Sequence, residues 1–134
     1  MYGPSITADV AKTVAAAAVA EARKNSWTMA IAVVDTAGEL VYFEKMDDTQ
    51  IGSINIAIAK ARSAVWFKRT TKVLQEVLAA GGDGLRVLGM QGAVPIEGGI
   101  PLTVGGKIVG AVGASGGAPQ QDGVVASAAA AMLA

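Results

Sequence analysis

The chain contains no cysteine and no histidine. That double absence removes disulfides, thiol nucleophiles, structural zinc sites, Ser-His-Asp triads and His- or Cys-ligated iron. Chemistry is left to Asp, Glu, Lys, Ser, Thr, Tyr, Met and backbone groups. Aromatic residues are only 4% of the chain; the adjacent Trp66 and Phe67 could stack on a planar ligand or divide between core and interface. Charged residues are 16% and sum to zero, with a pI near 6.2, so nothing calls for a polyanionic partner and nucleic acid is not expected. No apolar run reaches the roughly 18 residues of a membrane span. The start, MYGPSITADV, lacks a charged region followed by an apolar one, so no secretory leader is read and a cytoplasmic location is expected for the chain as given.

What remains is small and apolar. The 134 residues suit one domain spanning 1–134. Hydrophobic residues are 52%, and with 17 glycines and abundant alanine much of that surface lets backbones approach closely.

Periodicity divides the chain cleanly. Residues 6 to 24 predict a helix, with Thr7 as N-cap, Asp9 in the first turn, Arg23 and Lys24 in the last, and Asn25 as a stop. Thr28 to Val34 and Leu40 to Lys45 predict two strands around a tight turn in which Gly38 takes positive φ. Strand one reads as buried on both faces. From Ile51 to Phe67 the positions Ile51, Ile54, Ile58, Ala61 and Val65 mark one helical stripe. A short helix capped by Thr70 or Thr71 ends at Gly81-Gly82-Asp83-Gly84. Strands follow at Ala93 to Ile96, Ile100 to Val104 and Lys107 to Ala114, the last two joined by Gly105-Gly106. An Ala-rich helix, Gln120 to Leu133, closes the chain. The order αββααβββα predicts an α/β (α+β) fold with a central five-stranded antiparallel sheet flanked by helices.

Two clusters carry candidate chemistry. Between Ile51 and Gln75 lie Lys60, Arg62, Lys68, Arg69 and Lys72 with no acid, which reads either as a solvated helix face or as a site for a carboxylate. The run Gly110-Ala-Val-Gly-Ala-Ser-Gly-Gly117 leaves a strand and feeds a helix. Its glycines serve either a ligand or close packing, and it is neither a P-loop nor a dinucleotide fingerprint. Ser115 is its one reactive side chain.

The stretches Ala32-Val-Val-Asp-Thr-Ala-Gly38, Lys45-Met-Asp47, Lys60-Ala-Arg-Ser-Ala64, Gly98-Gly-Ile-Pro101, Gly105 to Gly117 and Asp122 resemble the GlcG/HbpS family, which includes the C-terminal domain of PduO-type adenosyltransferases. The match runs from about residue 4 to the end. The resemblance implies an α/β domain of profilin-like arrangement, assembled as dimers or higher rings, with haem or another tetrapyrrole as candidate ligand. It places Lys60 and Ala61 on the family's Lys-Ala pair and Ser63 where haem-binding members carry Thr, with Phe67, Arg69 and Thr70 continuing the segment. The chain departs from haem-binding members in offering no His or Cys axial ligand; Met46, Met90 or a hydroxyl would have to substitute.

Two function classes follow. In the first, the protein holds haem or another planar, carboxylated ligand through Lys60, Ser63, Phe67, Arg69, Gly113 and Ser115, with no metal site beyond Met46 as a weak candidate. In the second, a cofactor-free isomerase, tautomerase or lyase acts on a small organic acid of a catabolic pathway through Asp47, Lys60, Glu97, Ser115 and Asp122. The Ala- and Gly-rich faces also suit a purely structural assembly subunit.

Overall fold

The computed structural model describes residues 1–134. Helix α1, Ala8–Lys24, starts where the Thr7 hydroxyl accepts the Val10 N–H at 3.3 Å and ends on Asn25. Strands β1, Ala30–Val34, and β2, Leu40–Lys45, form a hairpin whose turn is held by the Asp35 carboxylate, accepting from Ala37 N and Glu39 N, with Gly38 at φ 86. Helix α2 runs Ser53–Phe67 and α3 Thr71–Ala79, the latter capped by Thr70. A 3₁₀ helix, Gly82–Gly89, precedes strands β3, Gly99–Val104, and β4, Lys107–Ser115, and helix α4, Pro119–Ala130, follows. None of these helices is long and apolar enough to cross a membrane.

The sheet has four antiparallel strands in the order β2-β1-β4-β3, not five. The expected strand at Ala93 to Ile96 is irregular because its neighbourhood finds other partners. Pro95 has no N–H to give a ladder. Val94 N donates to the Ser63 hydroxyl at 3.0 Å, and Glu97 N donates to the Gln75 side-chain carbonyl at 2.8 Å. The element order is therefore αββαα, the 3₁₀ helix, then ββα.

Alternation along the strands makes two cores. Ile31, Val33, Val112 and Ala114 face α1 and α4, whereas Ala30, Ala32, Val34 and Ala111 face α2. Every residue of β1 is buried, as a strand covered on both faces requires. Past the end of β1, the N-terminal strap takes its place beside β4: Ile108 N donates to Met1 O, Gly3 N to Ile108 O and Ile6 N to Val109 O.

Of the expected stripe on α2, Ala61 and Val65 are fully buried and Ile54 and Ile58 half-buried, while Ile51 precedes the helix and is 82% exposed. Alanine fills the centre of the buried face, at Ala57, Ala61 and Ala64. The reason is Gly113 of β4: a Cβ there would run into the Ala57 carbonyl oxygen and come within 2.7 Å of Ala61 N. Small residues on both sides bring helix and sheet backbones together. The same closeness lets the Thr71 hydroxyl accept from Gly99 N at 2.8 Å, in a buried bond. Thr71→Val should cost about 1–3 kcal/mol, because it orphans that buried N–H; urea denaturation measures it, and a loss under half a kcal/mol would show the bond to be dispensable.

Candidate functional site

Lys60 is 1% exposed although it belongs to the stretch rich in bases and free of acids. Its Nζ donates to Asp122 Oδ2 at 2.8 Å and to Ala114 O at 3.1 Å. Lys60 sits on α2 and Asp122 on α4, which cover opposite faces of the sheet. The lysine chain therefore passes the end of the sheet, where β3 begins and β4 finishes. Glycines make the passage: a Cβ on Gly98, which has φ 134, would lie 2.8 Å from Lys60 Nζ and 2.6 Å from Ala114 O. Asp122 Oδ1 accepts from Gly117 N at 2.9 Å. Burial raises the Asp122 pKa above the ordinary carboxylate range, more than Lys60 and the Gly117 N–H pull it down.

Beside this pair lies a polar groove of about 160 Å³ lined by Lys72, Glu97, Gly98, Gly99, Gly123 and Ser127, among others. The Glu97 carboxylate rests on Gly123, where any Cβ would collide with it. Of the five acid-base candidates, the fold thus gathers Lys60, Asp122 and Glu97 in one region. Ser115 follows directly on the carbonyl that Lys60 reaches; it is 5% exposed and pairs with Ala30. Asp47 stands apart, exposed beyond the end of the edge strand β2.

The nominated ligand residues divide by exposure. Ser63 is fully buried and its hydroxyl accepts from Val94 N; Gly113 is buried under α2. Phe67 is half-buried, and Arg69 is exposed with its Nε donating to Phe67 O at 2.8 Å. Met46 is 8% exposed inside the core beneath α1. Trp66 is held by structure: its indole N–H donates to Ala37 O at 2.9 Å, and its ring packs on Gly38 and Gly92.

A second groove was invisible in the sequence. It is the larger, about 280 Å³, and mostly apolar, formed by Pro4, Ile6, Val10, Val104, Val109 and Leu133 with Ser5 and Thr7. It lies where the N-terminal strap, the start of α1, the β3–β4 hairpin and the C-terminus meet, and Gly105 N donates to Ala134 O at 2.9 Å beside it. No motif marks it, since its residues come from three separate stretches.

The molecule is a three-layer α/β/α domain with one polar and one largely apolar groove on its surface. The chain belongs to the HbpS-like family: the family model described as "Haem degrading protein HbpS-like" matches residues 6–131. Protein GlcG of Escherichia coli K12 is 39% identical over 110 residues, 82% of this chain and 81% of that protein. Among solved structures, a double mutant of Streptomyces reticuli HbpS superposes with TM-score 0.89 at 29% identity, covering 100% of this chain and 90% of that one. The PduOC:haem complex superposes at 0.85 and 27% identity, covering 96% and 95%.

Proposed function

We propose that this protein binds haem or a related planar, carboxylated ligand. The observation that carries the reading is the likeness over nearly the whole chain to PduOC, solved as a haem complex. Its own residues fit the periphery of a tetrapyrrole better than its iron. There is no His or Cys, and Met46 is enclosed in the core. Holding such a ligand then falls to apolar walls against its faces and to exposed cations, Arg69, Lys72 and Lys107, for its carboxylates. Of the candidate contacts, Phe67 is half-buried and Arg69 exposed. Lys60, Ser63, Gly113 and Ser115 shape the scaffold from inside. When bound, haem would supply redox and oxygen chemistry at its iron.

Haemin titrated into the purified protein should give a saturable Soret shift of micromolar affinity, without the spectrum of bis-imidazole or thiolate ligation. Absence of any saturable shift would overturn the reading. Sub-nanomolar affinity with a strong-field axial-ligand spectrum would show instead that the iron is what the protein grips.

A further inference from the structure

We propose that the polar groove beside the Lys60–Asp122 pair is a separate binding site for a small zwitterionic amino acid, a molecule with one carboxylate and one ammonium on a short carbon chain. The site does not depend on the haem reading. The groove has about 160 Å³, well under the roughly 300–1,000 Å³ of clefts that enclose drug-sized ligands. At roughly 30 Å³ per water it holds about five waters, the bulk of a molecule of about six heavy atoms.

The lining carries one charge of each sign, Lys72 and Glu97. The ion pairs of the chain are Lys24–Glu21, Lys60–Asp122 and Arg86–Asp83, so these two opposite charges share the groove without pairing with each other. Two backbone features bring them there. Lys72 and Gln75 are three residues apart on α3 and share a face, and the Gln75 side-chain oxygen accepts the Glu97 N–H at 2.8 Å, which moors the Glu97 segment to that helix. Gly123 then seats the carboxylate: an added Cβ would collide with Glu97 Oε2. Glycine is among the least favourable residues inside a helix such as α4, and here the space it leaves is filled by a carboxylate. Glu97 is half-buried and its bond to Gln75 uses the backbone N–H, so its carboxylate keeps its lone pairs for the ammonium of a ligand.

The Lys72 side is positive twice over. Lys72 lies in the first turn of α3, at the positive end of the helix dipole. The capping Thr70 hydroxyl accepts from Val73 N at 3.3 Å, which leaves its own proton to donate to a carboxylate. Lys60 and Asp122, behind Gly98, satisfy each other and add no net charge. A lone carboxylate would gain Lys72 and be repelled by Glu97, and a lone amine the reverse; a zwitterion is attracted by both.

The test is proton–nitrogen correlation NMR of the full chain, titrated with L-alanine and β-alanine and, as single-charge probes, with lactate and ethylamine. Expected is a saturable shift of the Gly98 and Gly99 amides with at least one amino acid, at an affinity about tenfold or more tighter than for lactate or ethylamine. Gly123→Ala should weaken amino-acid binding by about tenfold, because the new methyl pushes the Glu97 carboxylate from its seat. It should also hold or raise the thermal midpoint, since alanine favours the helix. Glu97→Gln should abolish the preference for alanine over lactate, and Lys72→Gln should weaken alanine by about tenfold. No saturable shift with either amino acid, equal affinity for lactate or ethylamine, or unchanged affinity in Gly123→Ala and Glu97→Gln overturns the site. The haem reading is untouched by any of these results.

Discussion

Replacing Lys60 by methionine should lower folding stability by about 3–5 kcal/mol near neutral pH, because the change leaves the Asp122 carboxylate buried without its cation. Lys60 and Asp122 are 1% and 2% exposed. The double change Lys60→Met with Asp122→Asn should recover most of that loss. It removes both charges together, and the asparagine oxygen can still accept from Gly117 N, as Asp122 Oδ1 does. Urea denaturation of the two variants beside the parent measures both numbers. A double variant as unstable as the single one would mean that the pair supplies something beyond mutual neutralisation.

The pH dependence of the same series has a definite sign. The folded Asp122 pKa is raised, with burial as the largest cause. A carboxyl raised on folding contributes stability that is complete below its unfolded pKa, about 3.9, and is lost as pH rises through the folded value. Lys60 is one of the groups that lowers this pKa, so Lys60→Met moves the window further up. Its deficit relative to the parent should be largest near neutrality and should shrink as pH falls toward 4. A deficit that grows on acidification would show that attraction to Lys60, and not burial, governs Asp122.

Gly113→Ala carries the second large effect. The added methyl would meet the Ala57 carbonyl and Ala61 N, both backbone atoms that cannot swing aside. Helix α2 would have to lift from β4, loosening the contacts of Ala57 and Ala61 and stretching the reach of Lys60 to Asp122. Overpacking of a filled core costs about 1–3 kcal/mol, and the coupling to the ion pair places this site at the upper end. Gly52→Ala is the matching control. Gly52 has helical dihedrals, φ −59 and ψ −24, and nothing within 4 Å of its Cβ position, so the change should be neutral or stabilising by up to about 1 kcal/mol. Equal effects at the two positions would refute the close-packing account.

Elements were legible in the sequence wherever local pattern decides structure. Thr7, Asn25 and Thr70 mark helix ends because a side chain or cap bonds the nearest backbone, and Gly38 marks a turn because its φ is positive. The strand at Ala93 to Ile96 failed because Val94 N and Glu97 N are taken by Ser63 and Gln75, distant side chains that no window of sequence contains. The stripe on α2 was legible in part: Ala61 and Val65 are buried as the periodicity expects, but the glycine on the opposing strand centres the buried face on Ala57, Ala61 and Ala64. Lys60, Glu97 and Asp122 each stood out singly, but the fate of Lys60 as an internal ion-pair partner depends on a residue 62 positions away on the opposite layer. The apolar groove draws on residues 4 to 10, 104 to 109 and 133. Sequence alone determined the short-range hydrogen bonding and the apolar periodicity, because those forces act over a few residues. Only the tertiary structure decided which buried charges meet and where a cavity opens, because both depend on layers packed from distant parts of the chain.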